Sequence, residues 1–551
     1  MRPIFWRRCD GTRPCLATGG RRRGAGLRSA LRISAIALIA ACATPASAQT
    51  VTLRPGSDGV TVEYDLGREA DLLIFEDQDT VRADWSTPTP DVVISQDGLR
   101  SARPLEAIRV DLRPDGTEEG RGYIALTRLG EGYVLHAPAL RIVGESLSLE
   151  VDLPDGWTLL PGPTFDGYLY LGPASAVSRG RSGGIRIGSA APSAAERALF
   201  EGFDPALEFF ARAFGPLPHA PVMAITSQGT GPIPFRGDVT DGGVISIRFH
   251  GDLGEPDADA RLQIQHFAFH ETSHLWNSHL AKPLDGPRWL HEGGAEYLAL
   301  VAAVSTGHLT EAQARASLSQ SLTDCSTALA DRPDARARIS GGPAVYSCGA
   351  VIQWLADLEL RQDFGQPQGV VSIWSGWIER ARHGQVHYGP DDLTSALAPT
   401  SAVVALLDGP PESRWRDLEA ALARLNVRWV NRPSDSSLLA ASLRHLKRQA
   451  CGGGLSYFVR AGAVEMENGD DCGPFAGTVV LATVEGHDPV TGAAAMFDAV
   501  QSKCARREPV GVVLQGNATG FSIPCGADLA TPAAYLVTDA PPIGLPTVVG
   551  P

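Results

Sequence analysis

His270-Glu271-Thr272-Ser273-His274, followed eighteen positions after its second histidine by Glu292 within Trp289-Leu290-His291-Glu292-Gly293-Gly294-Ala295-Glu296-Tyr297, is the pair of segments from which the rest of the chain can be read. Both lie in stretches of helical patterning, Ala258 to Leu280 and Arg288 to Val304. Residues four apart share a helix face, so His270 and His274 can aim two imidazoles at one metal ion while Glu271 stands beside them, within reach of a water on that ion. A third ligand, Glu292 from the next helix, would leave the fourth position of a tetrahedral zinc ion open. Taken singly, the two segments also read as a solvated helix face bearing histidines and an exposed carboxylate. Their occurrence together in one helical region favours the metal site.

Outward from this point the pattern changes in both directions. From Ala258 to about Val427 nearly every segment is helical in pattern, including Thr310 to Ala330, Pro343 to Asp363 and Ser413 to Leu425. Before it, Ser193 to Phe214 has helical periodicity, and Pro221-Val-Met-Ala-Ile-Thr226 and Gly243-Val-Ile-Ser-Ile-Arg-Phe249 read as sheet strands. Earlier still, short apolar runs such as Val60 to Tyr64, Tyr133 to His136, Leu147 to Val151 and Tyr168 to Leu171 alternate with Gly, Pro and Asp, as in an all-β domain. The Ser, Gly and Arg-rich stretch Ser178 to Gly184 is expected to close that domain. After Arg432 the chain becomes Gly-rich and cysteine-bearing, with a strand, helix, strand order over Thr478 to Thr483, Ala493 to Lys503 and Val510 to Leu514.

Three segments together carry a family resemblance. His270-Glu-Thr-Ser-His-Leu-Trp276-Asn277, the Trp289 to Tyr297 segment, and Tyr346-Ser-Cys-Gly349 leading to Trp354-Leu-Ala-Asp-Leu-Glu-Leu-Arg361 span about 92 residues. In combination they resemble gluzincin metallopeptidases of the glycyl aminopeptidase type and, more distantly, alanyl aminopeptidases. The resemblance implies one zinc ion per chain held by His270, His274 and Glu292, with Glu271 as general base and Tyr346 as the hydroxyl that stabilises the oxyanion. Tyr346 also reads as a helix tyrosine packed in a core. Glu296 is placed either to orient a histidine or to sit at the surface, and His266, His279 and His291 read as neighbours of the site rather than ligands.

Three departures accompany the likeness. The gap from His274 to Glu292 is one residue shorter than in alanyl aminopeptidases, which a shortened turn between two helices can absorb. Cys348 stands where the family has a lysine after the tyrosine. Asp241-Gly242-Gly243-Val244 occupies the region in which related aminopeptidases carry a Gly-x-Met-Glu-Asn segment that grips the substrate's amino terminus, and it has no glutamate after the glycines. Aminopeptidase specificity is therefore left open.

The expected fold class is a multidomain α+β protein: an N-terminal β-sandwich-like domain, a thermolysin-like α/β plus helical catalytic domain, and a small disulfide-bearing C-terminal α/β domain. The expected boundaries are a signal peptide over 1–48, the β domain over 49–190, the zinc catalytic domain over 191–305, its helical continuation over 306–432, and the small domain over 433–551, where Thr478 to Cys525 weakly resembles a PDZ domain. The leader reading rests on Arg21 to Arg23, Arg28 and Arg32 ahead of the apolar run Ile33 to Ala43 and the Ala46-Ser47-Ala48 cleavage pattern, a run shorter than a bilayer crossing requires. Ile39-Ala40-Ala41-Cys42 offers the alternative of a lipid anchor at Cys42. The expected location is the periplasm or outside the cell.

Residues 49–551 carry 39 basic and 61 acidic side chains, a net charge near −22 against −14 for the whole chain. That balance speaks against nucleic acid as a partner. Six cysteines remain after the leader, and their order suggests the local pairs Cys325 with Cys348, Cys451 with Cys472 and Cys504 with Cys525. Each would close a loop of about twenty residues, worth ~3 kcal/mol on the loop-entropy model. The sequence thus points to an exported zinc metallopeptidase acting on peptides or proteins. A catalytically silent peptidase fold used as a binding module is the competing reading.

Overall fold

A computed structural model describes residues 49–114, 123–228, 235–250, 256, 258–284, 286–329, 332–452, 455–460, 462–469, 471–516 and 520–545. The expected leader, with its cleavage pattern and Cys42, lies outside the described residues. The described residues divide into two compact units, one comprising 49–204 and 217–256, the other 205–216 and 258–545.

In the first unit, strict alternation builds a sandwich. Val60, Val62, Tyr64 and Leu66 of the strand Val60–Ile74 are buried while the residues between them are not, the period-two signature of a half-buried strand. This strand pairs with Thr50–Pro55 on one side and Gly98–Leu112 on the other, in a six-stranded sheet completed by Ser148–Val151, Trp85–Ser86 and Val92–Ile94. Val51, Val62, Tyr64 and Val110 from that sheet share one core with Tyr133, Leu135, Leu169 and Leu171 from a four-stranded sheet, Trp157–Leu160, Tyr168–Pro173, Gly132–His136 and Leu126–Leu129.

A mixed five-stranded sheet follows, ordered Val177–Arg179, Ile185–Ile187, Val222–Gln228, Val244–His250, Phe235–Val239, with parallel pairing at its centre and antiparallel strands at both edges. The Ser178 to Gly184 stretch is the hairpin that opens this sheet, with Gly180 N–H donating to Gly184 O and the Asp204 carboxylate accepting from Arg181 N–H and the Ser182 hydroxyl.

The second unit is helical around its centre. Trp289–Ser305 buries residues on every side, including Trp289, Leu290, Tyr297, Leu298 and Val301, as a helix surrounded by others must. It packs against Ala258–His274 on one flank and Ala344–Asp363 on the other. The latter contact is a close crossing of glycines: a Cβ at Gly293 would stand 2.2 Å from Gly349 Cα, and one at Gly349 would stand 2.4 Å from Trp289 O. The Cys325–Cys348 disulfide ties Glu311–Leu329 to Ala344–Asp363.

Beyond Arg432, the helices Asp435–Ala450 and Ala493–Ala505 accompany an antiparallel five-stranded sheet, Ser456–Arg460, Ala463–Glu467, Thr478–Val484, Val510–Leu514 and Phe521–Ile523. The expected pairs Cys451–Cys472 and Cys504–Cys525 both form here. The chain then returns to the helices. Tyr535–Asp539 pairs with Arg428–Asn431, Tyr535 N–H donates to Thr323 Oγ1, and the Glu311 carboxylate accepts the N–H groups of Ile543 and Gly544. No helix among the described residues is long and apolar enough to cross a membrane.

Two stability outcomes follow. Gly349→Ala should cost about 2 kcal/mol or more in thermal or denaturant unfolding, because backbone of the neighbouring helix would have to move. Gly376→Ala, on the exposed face of Val370–Arg382 with nothing within 4 Å of the added methyl, should instead stabilise by about 0.5–1 kcal/mol. A neutral result at both positions would contradict the crossing geometry.

Asp324 supplies a pH dependence. Burial pushes its carboxyl up to about 6, against the Gln320 hydrogen bond and the charge of Arg444, both of which favour the anion. An acid whose folded value exceeds its unfolded one holds its proton more tightly when folded, so this group's contribution declines as pH rises from about 4 to about 6 and is flat above. Asp324→Asn should therefore stabilise the protein by about 2 kcal/mol at pH 8 and by less at pH 5, read from denaturant midpoints.

Candidate metal centre

The helix Ala258–His274 ends where its second histidine ends, and a π-helical turn, Leu275–Leu280, continues it. Ala281 N–H closes that turn on Trp276 O at 2.9 Å. Wider turns of this kind occur often at functional sites. Here the turn carries Asn277 back toward His274. Glu292 comes from the first turn of Trp289–Ser305, and Tyr346 from the first turn of Ala344–Asp363.

These helices bring His270, His274 and Glu292 together, each at least nine-tenths buried. His270 Nε2 lies 3.2 Å from His274 Nε2, and Glu292 Oε2 lies 3.6 and 3.4 Å from those two nitrogens. A tetrahedral ion with bonds of 2.0–2.1 Å separates its ligand atoms by about 3.3 Å, so the triangle has the size that zinc requires. The donor set, two imidazoles and one carboxylate, is also one that zinc accepts in sites with an open coordination position.

Both imidazoles turn Nε2 inward because their Nδ1 atoms are engaged behind. His270 Nδ1 is 3.0 Å from Glu296 Oε2, while Glu296 Oε1 is 3.0 Å from His266 Nε2, so one carboxylate braces two histidines of the motif helix. His274 Nδ1 is 2.9 Å from Asn277 Oδ1 and 3.0 Å from Ser278 Oγ. Asn277 is fixed in turn, since its Nδ2 donates to His291 O at 2.8 Å and its carbonyl accepts from the buried Tyr388 hydroxyl. Glu292 presents Oε2 to the histidines and Oε1 to Arg288 Nη2 at 3.2 Å and His291 Nε2 at 3.6 Å.

The electrostatics follow from this packing. Burial opposes a charge on His270, but its bonds to Glu292 and Glu296 and the charge of Glu271 prevail and raise it to about 10. Burial pushes His274 down to about 4 against the pull of Glu292. Glu292 remains well below the usual carboxylate range despite burial, held there by His270, His274 and His291. A metal ion at this site would compete with the proton that these carboxylates favour on His270, because a ligand nitrogen must be deprotonated.

Glu271 is buried beside His270, and Tyr346 is half-buried with its ring centroid 6.0 Å from that of His270, at the site rather than inside a core. Asn277, Ser278 and Tyr388 have no assigned role in the sequence reading. Asn277 three positions after His274 is a signal only once the π-helical turn is known, and Tyr388 is separated from Asn277 by 111 positions.

The fold and this constellation define a mixed α/β multidomain protein with a buried cluster of two histidines and one glutamate of metal-ligand type. Among solved structures, the chain is similar to an aminopeptidase N family protein from Idiomarina loihiensis, at 12% identity and a TM-score of 0.58, over 90% of this chain and 98% of that one. An M1 zinc metallopeptidase from Deinococcus radiodurans aligns at 15% identity and a TM-score of 0.36, over 68% of this chain and 92% of that one. The likeness to the first is one of fold. No family model matches the sequence, and no curated protein matches it.

If Glu296 orients His270 for the metal, Glu296→Gln should weaken zinc binding about 10–100-fold, and Asn277→Ala should act in the same direction through His274. Competition with a chromophoric chelator reads both. Affinities unchanged in both variants would remove these residues from the metal centre.

Proposed function

We propose that this chain is an exported zinc-dependent metallopeptidase that hydrolyses peptide bonds, with His270, His274 and Glu292 holding one zinc ion, Glu271 as general base and Tyr346 as the donor to the oxyanion. The observation that carries the reading is the inward triangle of two Nε2 atoms and one carboxylate oxygen at 3.2, 3.4 and 3.6 Å, each histidine backed by its own partner. Bound zinc supplies a Lewis acid for a substrate carbonyl and acidifies a coordinated water.

The chain's own side chains perform the remaining steps. Glu271 accepts a proton from the attacking water and returns it to the leaving amine. The Tyr346 hydroxyl donates to the oxygen on which negative charge develops, and its ring position beside His270 supports that role. Arg288 and His291 hold the outer oxygen of Glu292, leaving its other oxygen to the metal. The charge-rich leader pattern and three disulfides support export to the periplasm or beyond, where such bonds persist. Trimming from the amino terminus is one mode of action among two, since no glutamate follows Gly242-Gly243.

A mixed peptide library incubated with the zinc-loaded protein, with cut sites mapped by mass spectrometry, tests this. Glu271→Gln should retain zinc and lose about 10²–10⁴-fold in turnover, and Tyr346→Phe about 10²-fold or more in kcat. Equal turnover by wild type and Glu271→Gln would end the base assignment. Bound zinc with no cleavage by wild type would favour the silent binding module, and cut positions separate amino-terminal trimming from internal cleavage.

A further inference from the structure

A second cluster of metal-ligand type lies in the C-terminal part of the chain and takes no part in the proposed chemistry. His445, on the helix Asp435–Ala450, places Nε2 3.3 Å from Cys504 Sγ and 3.3 Å from Cys525 Sγ. Cys504 stands at the end of the helix Ala493–Ala505, and Cys525 lies two residues beyond the edge strand Phe521–Ile523. All three residues are buried, at 9%, 0% and 4% exposure, and the two cysteines form a disulfide. Among the described residues, only this cluster and the triad of His270, His274 and Glu292 bring three such ligand atoms within 4.8 Å of one another.

We propose that Cys504, Cys525 and His445 form a redox-gated metal site: closed as a disulfide, and able in its dithiol form to bind one thiophilic divalent cation such as zinc. The chemistry balances with a thiol reductant of small-molecule or protein-dithiol class. Two thiols give up two electrons and two protons to the disulfide, leaving Cys504 and Cys525 as thiols and the reductant as its own disulfide. Binding of the cation then displaces one proton from each thiol, and His445 Nε2 supplies the third ligand.

The geometry suits this exchange. Zinc bonded to sulfur at 2.3 Å and to imidazole at about 2.0 Å places those two ligand atoms about 3.5 Å apart, close to the distance His445 already keeps from each sulfur. Only the two sulfurs have to separate. Cys504 lies at a helix carboxy terminus, where free carbonyls disfavour anions, which makes a bare thiolate there costly and a bound cation favourable. Access for a reductant requires only local opening, because Phe521–Ile523 is the last strand of its sheet and the following turn is held by Gly526 N–H on Gln449 Oε1 at 2.9 Å. The other two disulfides have no histidine placed in this way among the described residues.

Cobalt(II) is the probe, added to the full-length secreted chain before and after reduction by a dithiol that is removed under anaerobic conditions. The oxidised protein should take up cobalt at the catalytic triad alone. The reduced protein should bind one more equivalent, with a near-ultraviolet sulfur-to-cobalt charge-transfer band that the oxidised form lacks. His445→Ala keeps the disulfide for folding and should weaken the additional site about tenfold or more after reduction. Paired Cys504→Ser and Cys525→Ser substitutions should abolish the band. No additional cobalt on reduction would overturn the proposal, as would additional uptake undiminished in the His445→Ala and serine variants, which would place it on the other cysteines.

Discussion

Two imidazole nitrogens and a carboxylate oxygen face one another across 3.2–3.6 Å inside protein, an arrangement that favours a positive charge at its centre. The carboxylate oxygen and any deprotonated ring nitrogen direct a lone pair inward, and burial removes the water that would otherwise satisfy it. Glu292 beside Nε2 and Glu296 beside Nδ1 favour the imidazolium form of His270, which has an N–H to offer each carboxylate. The same atoms therefore form a satisfied network in one state and a coordination shell in the other. Their affinity for metal is the difference between the two, which explains why the partners behind the histidines matter as much as the histidines themselves.

Holding that triangle is the task of the helical unit around it. Trp289–Ser305 carries Glu292 and Glu296 on successive turns of one face while the neighbouring Gly293 meets Gly349 of the next helix at backbone contact. The close approach leaves little room for Glu292 to slide along the axis. One residue past Glu296, the buried Tyr297 hydroxyl donates to Asp357 Oδ2 at 2.8 Å, and Asp357 also accepts Val370 N–H and lies 3.0 Å from Arg361 Nε. Arg361 in turn donates to the carbonyls of Pro542, Ile543 and Gly544. A continuous set of polar contacts thus joins the helix of Glu292 and Glu296 to the end of the described chain, so the last residues belong to the scaffold of the cluster.

What the sequence reveals of this follows from distance along the chain. His270, Glu271 and His274 are legible because helical period alone places them, and Glu292 because a second helix begins a short turn later. The three cysteine pairs are legible for the same reason, with partners only 21–23 positions apart. Glu296 has its signal, one turn after Glu292, but the choice between surface and support is settled only by the orientation of the helix toward His266 and His270. The return of the chain to Glu311, some 232 positions away, has no local pattern at all, since it consists of backbone N–H groups that any sequence possesses. At Ser178 to Gly184 the composition marks a turn but not its pairing, since glycine and serine punctuate a hairpin within a sheet as readily as a boundary between domains.

The short separation between His274 and Glu292 can be located within this framework. His274 is the last residue of a regular helix and Glu292 the fourth of another, so neither ligand can shift by one residue without rotating about 100° away from the centre. The difference must fall between them. Leu275–Leu280 is itself constrained, because Asn277 bonds back to His274 and accepts from Tyr388, and Trp276 Nε1 donates to Gly215 O. At the far end, Glu292 N–H bonds to Arg288 O, committing the chain to the next helix by that point. Lys282–Pro283 is held as well, paired with His387–Tyr388, so a difference in length falls between Leu284 and Pro287. Changes of length are thus confined to a connection that carries none of the ligands, and the triangle of donor atoms is indifferent to them.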